Sequence, residues 1–170
     1  MKRILLLTIF ITILGNCFAQ EEERETKHLI TGALGYTYIP SAGAVGSSES
    51  EGVFVPSIGL DYFYSVAKQW EVGIMSDLEL GEYVLINKDL NRENALVIAA
   101  IAVYSPIKSV NIFAGGGIEI EKHHNLGILR LGTEYEFELK RNWVISPGIF
   151  FDFKEGVDTW SLSIAFGKKF

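Results

Sequence analysis

Apolar side chains recur at every second position along most of this chain. That period of two belongs to a β-strand whose two faces meet different surroundings. Along residues 70–81 one face reads Trp70, Val72, Ile74, Ser76, Leu78, Leu80, and the other Glu71, Gly73, Met75, Asp77, Glu79, Gly81. Residues 126–139 set Leu129, Leu131, Thr133, Tyr135, Phe137 and Leu139 against Arg130, Gly132, Glu134 and Glu136. Residues 143–153 set Trp143, Ile145, Pro147, Ile149, Phe151 and Phe153 against Ser146, Gly148 and Asp152. Residues 53–65 set Phe54, Pro56, Ile58, Leu60, Tyr62 and Tyr64 against Ser57, Gly59 and Asp61. Two stretches, 29–39 and 95–104, are rich in β-formers but alternate poorly.

Residues 1–19 read as a secretory signal. Lys2 and Arg3 precede an apolar run from Ile4 to Leu14, and Cys17-Phe18-Ala19 offers a cleavage site of the small–x–small type. A lipoprotein signal acylated on Cys17 is the alternative, although Asn16 stands where a small residue is expected. Cleavage after Ala19 removes the only cysteine and two basic residues, so the formal charge falls from −6 to −8. An acidic exported chain lacks the clustered Lys and Arg that nucleic-acid phosphates require. Beyond residue 19 the longest apolar run is the ten residues 95–104, well short of the ~20 that a transmembrane helix needs. The remaining choices are a soluble exported β-protein and a barrel crossing the bilayer with strands of ~9–11 residues.

After a charged leader at 20–27, eight strands are predicted at 29–39, 53–65, 70–81, 95–104, 110–121, 126–139, 143–153 and 159–170. The even-numbered connections are uniformly short. The two long ones, 40–52 and 82–94, are both odd-numbered. An eight-stranded antiparallel up-and-down transmembrane β-barrel predicts that bias, with turns at the periplasmic rim and longer loops at the cell surface. Sidedness points the same way. The polar faces mix charge with Gly, Ser and Ala, which suits a narrow lumen. Trp70, Trp143, Tyr62, Tyr64 and Tyr104 gather toward one rim and Trp160 toward the other, as in the aromatic girdles at the two water interfaces.

The last strand ends Trp160-Ser-Leu-Ser-Ile-Ala-Phe-Gly-Lys-Lys-Phe170, with apolar residues at alternate positions and an aromatic residue last. Here residues 28–170 resemble the small OmpA/OmpX-like outer-membrane β-barrel superfamily. The resemblance implies that Phe170, Phe166, Ile164 and Leu162 form the terminal signal read by the barrel-insertion machinery. Lys168 departs from that pattern, and its aliphatic stem can snorkel to the interface.

The predicted lumen holds Asp61, Glu71, Asp77, Glu79, Glu119, Glu134 and Asp152 against Arg130 and Lys154. Unpaired charge in a confined site is costly, so ion-pair networks that plug the interior and fix register are expected. A cation-selective path, a proton-responsive gate and a catalytic carboxylate pair are the sharper alternatives. His123 and His124 are adjacent on a short loop, but consecutive side chains on extended backbone point apart, so no metal site is expected. Gly115-Gly116-Gly117 lacks the GK[ST] of a phosphate loop and reads as glycine packing within a strand. No cofactor motif is present.

The expected role is therefore non-enzymatic: envelope integrity or surface interaction through 40–52 and 82–94, with outer-membrane lipid as the surrounding partner. A membrane-embedded enzyme, a narrow channel and a soluble lipocalin-like carrier are the competing classes. N-terminal sequencing of the exported chain should begin at Gln20. Incorporation of labelled palmitate at Cys17 would select the lipoprotein alternative instead.

Overall fold

The computed structural model describes residues 26–46, 49, 51–86, 90–122, 124–154 and 157–170. The expected signal segment and most of the leader lie outside the described residues. Among the described residues ten strands form one sheet: β1 (His28–Ile39), β2 (Ala42–Gly43), β3 (Val53–Ala67), β4 (Trp70–Leu85), β5 (Leu90–Ile107), β6 (Val110–Ile120), β7 (Leu126–Tyr135), β8 (Phe137–Glu138), β9 (Trp143–Lys154) and β10 (Thr159–Lys169). Sequential neighbours pair antiparallel around the sheet, in the order β10-β1-β3-β4-β5-β6-β7-β9. The short β8 continues the wall of β7 beside β9, and β2 lies in the first long connection. Because β10 pairs with both β9 and β1, running from Leu29↔Lys169 to Tyr38↔Trp160, the sheet closes into an eight-stranded cylinder with no free edge.

The outward face is apolar. Trp143, Leu131, Ile149 and Ile164 are 37, 43, 41 and 60% exposed. A soluble barrel would hide such residues in its centre. Here the side chains at the alternate positions are the buried ones, among them Asp61, Asp77, Arg130 and Asp152. Both chain ends meet at one rim, where the Lys27 amide donates to the Phe170 carbonyl at 2.8 Å. That rim carries the tight turns at 68–69 and 108–109 and a 3-10 turn at Lys140–Asn142, whose Arg141 and Asn142 both have φ of 62°.

The weak alternation of 29–39 and 95–104 has a structural cause. Inward-facing Leu29, Val97, Ala99, Ile101 and Val103 join Phe63, Met75, Phe113 and Phe150 in an apolar cluster inside the barrel. Both faces of β5 are therefore greasy, one against lipid-facing surroundings and one against these rings. The lumen is not uniformly polar, as the alternation elsewhere had suggested.

The expected loop at 82–94 is mostly strand. β4 and β5 stay paired through Glu82↔Glu93, Tyr83↔Arg92, Val84↔Asn91 and Leu85↔Leu90, after a bulge beyond Glu79. Above the bilayer the outward side chains of a ladder stand in water, so Glu82, Asn91 and Glu93 read as loop although their backbones pair. At the same end β2 pairs with the tip of β4, and Ile39, Ala42, Val55, Tyr83, Leu85, Leu126 and Val157 pack into a second apolar cluster that caps the lumen.

The glycine run lies within β6, as expected. A Cβ on Gly115 would collide with the Ala100 carbonyl oxygen and fall 2.9 Å from its carbon, and one on Gly117 would collide with Ile98. Gly116 faces outward, and its nearest obstacle is 3.5 Å away. Gly115→Val should therefore destabilise the barrel by about 1–3 kcal/mol through overpacking, while Gly116→Ala stays near neutral. Urea unfolding of both variants in detergent micelles checks the contrast.

Candidate functional site

The buried charges are set by strand parity. Asp61 lies on β3, Glu71, Asp77 and Glu79 on β4, Glu119 on β6, Arg130 and Glu134 on β7, and Asp152 and Lys154 on β9. β9 stands four strands from β4 around the cylinder, so pairs between them cross the lumen.

Arg130 is the centre of the middle layer. Its Nε and Nη2 donate to the two carboxylate oxygens of Asp152 at 2.7 and 2.9 Å, a bidentate pair, and its Nη1 donates to Asp77 at 2.5 Å. The guanidinium carbon lies 4.1 Å from the centre of the Phe150 ring, which covers its flat face. Above it, Lys154 Nζ lies 2.6 Å from Glu119 and 3.3 Å from Glu79. The next member, Arg92, was not among the residues expected in the lumen. This guanidinium pairs with Glu119, approaches Glu121 at 3.6 Å and donates to the His124 carbonyl at 2.6 Å. Asn94, with φ of 47°, marks the irregularity in β5 that sets Arg92 inward, out of phase with Ala95 and Val97. A plain count of two would have put Arg92 outside, so the sequence held no signal for it.

Three predicted lumen carboxylates accept hydrogen bonds from neutral donors. Asp61 accepts from Thr31 Oγ at 3.0 Å and from the Ser76 amide at 3.2 Å. Glu71 accepts from Ser65 Oγ at 2.9 Å, and Glu134 from Asn111 Nδ2 at 2.9 Å. Nearer the rim of the chain ends, Lys169 reaches Glu136 at 2.5 Å and Glu138 at 3.6 Å. Glu138 also pairs with Lys108 at 2.8 Å, and this hydrogen bond holds the Glu138 carboxyl below its ordinary range. That last pair is exposed and contributes little to stability.

The aromatic residues form two bands. Trp70 and Tyr104 pack with ring centres 4.9 Å apart, Tyr62 and Tyr64 flank His28, and Trp143 stacks on Phe166 at 4.8 Å. Trp160 packs edge-on against Phe151 near the opposite rim. Leu162, Ile164, Phe166 and Phe170 share the exposed outer row of β10. His124 takes part through its backbone, and His123 lies outside the described residues.

A closed cylinder of eight antiparallel strands, greasy outside and charged inside, defines a transmembrane β-barrel. Solved structures share that fold. Ail, the attachment invasion locus protein of Yersinia pestis, superposes with a TM-score of 0.58 at 14% identity, over 86% of this chain and all of that one. Neisserial surface protein A gives 0.61 at 12% identity, over 84% and 97% of the two chains. The N-terminal barrel domain of Pseudomonas aeruginosa OprF gives 0.53 at 10%, over 85% and 98%. At these identities the likeness is one of fold. No protein-family model matches the sequence, and neither does any curated protein.

Arg130→Ala would leave Asp77 and Asp152 facing each other without their shared cation. The barrel should lose about 3–5 kcal/mol, read as a lower urea midpoint for unfolding in micelles. An unchanged midpoint would show that the pairing contributes nothing to the fold.

Proposed function

We propose that this chain is a non-catalytic barrel of the bacterial outer membrane, acting through its cell-surface rim while its lumen serves as a charged plug. One observation carries the reading: an apolar outer belt closes around an interior where Arg130 and Lys154 reach across from β7 and β9 to the carboxylates of β4. Side chains that bridge the bore leave no room for a wide diffusion path. The apolar cap of Ile39, Val55, Tyr83 and Leu126 adds a second barrier at the opposite rim from the chain ends.

In this reading residues 1–19 direct export and are removed. The outer row of β10, ending at Phe170, is then offered to the barrel-insertion machinery. The connection 40–52 and the projecting hairpin of β4 and β5 stand at the cell surface and meet the partner. Two of the fold neighbours bear names of surface and attachment proteins, which agrees with such a role by analogy of fold alone. The carboxylate layers fix register and resist collapse, with no step of chemistry assigned to them.

The test is fractionation and conductance. The protein should sediment with outer membranes, migrate differently in gels before and after boiling, and give a flat trace in planar bilayers. Recovery in the soluble periplasm would overturn the membrane assignment. Discrete conductance steps would overturn the plug.

A further inference from the structure

Charge is distributed unequally between the two rims. Four joints link the eight strands at the rim of the chain ends, and every one is basic: Lys68 in the first turn, Lys108 in the second, Lys140 and Arg141 in the third, and Lys27, Lys168 and Lys169 where the ends meet. The opposite rim is neutral or acidic at each connection. The segment 40–52 carries Glu49 and Glu51, and 155–158 carries Glu155 and Asp158, with no basic residue in either. The other two balance Lys88 with Asp89 and Lys122 with Glu121.

We propose that the basic rim is a docking surface for anionic phospholipid headgroups in the periplasm-facing leaflet. This rests on the outer-membrane reading above, in which short turns face the periplasm. The depth of the cations supports it. Trp70 opens β4 directly after the turn that holds Lys68, and its ring packs on Tyr104. Trp143 directly follows the turn that holds Lys140 and Arg141. Aromatic rings of this kind settle at the boundary between headgroups and hydrocarbon, so cations two or three residues beyond them stand at phosphate level. Lys168 shows the arrangement in a single side chain. It occupies the outer row of β10 with Phe166, and its Nζ lies 5.7 Å from the Trp143 ring centre and 5.2 Å from that of Phe170.

The rim keeps a positive balance after its own carboxylates are counted. Lys108 and Lys169 are partly neutralised by Glu138 and Glu136. Lys140, Arg141 and Lys168 carry the attraction. The leader's Glu21, Glu22, Glu23 and Glu25 against Arg24 offset the remaining balance, so the attraction rests on where Lys140, Arg141 and Lys168 stand and not on net charge. A ring with one cationic group per pair of strands suits many small mobile anions around a circumference better than one compact ligand. The partner is therefore a lipid annulus.

The experiment uses the full mature chain folded into phosphatidylcholine vesicles, with folding verified by the gel shift on boiling. Spin-labelled phosphatidylglycerol and phosphatidylcholine report the relative association at the barrel. A cation near an anionic lipid contributes about fivefold, so the glycerol lipid should be preferred about three- to tenfold at ~10 mM salt. That preference should fall toward one at ~0.5 M salt, where the Debye length shrinks to a few ångströms. Combined Lys140→Gln, Arg141→Gln and Lys168→Gln should abolish most of it, and Lys88→Gln with Lys122→Gln at the other rim should not.

Equal association of the two lipids by the wild-type barrel would overturn the proposal, as would a preference indifferent to salt or to the rim substitutions. Retention on murein sacculi that is lost with those substitutions, without lipid preference, would assign the rim to cell-wall carboxylates and also overturn it. A chain that does not fold into vesicles at all fails the outer-membrane reading instead, so the two failures are distinct.

Discussion

A backbone amide facing hydrocarbon finds no partner in the solvent, so each strand in lipid must be paired on both sides. Closure meets that demand. The ladder between β1 and β10 joins the two ends of the chain in space, and the Lys27, His28 and Phe170 backbones extend it to the rim. Every other feature follows from this seam. An open sheet of the same strands would expose two unpaired edges to lipid, and its inward charges would have no enclosure in which to meet.

Closure at eight strands fixes a narrow bore, and the bore fixes the chemistry inside it. Side chains pointing inward from opposite walls come within hydrogen-bonding distance, which is how Lys154 reaches Glu79 and Arg130 reaches Asp77. A low-dielectric wall makes any charge left alone there expensive. The chain answers with three devices: bidentate pairing at Asp152, aromatic cover from Phe150, and neutral hydrogen-bond donors such as Thr31 and Asn111 for carboxylates beyond the ion pairs. The apolar cluster along β5 fills the rest of the bore. The close strand spacing that forces glycine at positions 115 and 117 belongs to the same geometry.

The two ends of the cylinder differ for a related reason. Beyond the belt both faces of a strand meet water, so hydropathy no longer constrains sequence and function is free to. At the far end the chain uses that freedom to extend β4 and β5 into a projecting hairpin and to fold an apolar cap across the lumen. At the rim of the chain ends it makes tight turns and concentrates lysine in them.

The sequence by itself determined which side chains share a face, because a strand has a period of two wherever its faces meet different media. That was enough for the all-β class, the eight-stranded barrel and the apolar exterior; Asp77, Arg130 and Asp152 are buried in step with the same period. It determined too little wherever the period breaks or the media match. β5 is apolar on both faces, and the inner face of β1 mixes Leu29, Ala33 and Ile39 with Thr31 and Thr37, so their alternation was faint. The ladder of Glu82 with Glu93 stands in water on its outer side, so it looked like loop. Arg92 turns inward only through the left-handed backbone at Asn94, a conformation that a single residue name does not announce. Tertiary structure alone decided which carboxylate meets which cation, since those pairs join strands up to 75 residues apart in sequence and depend on the curvature and register of the closed wall.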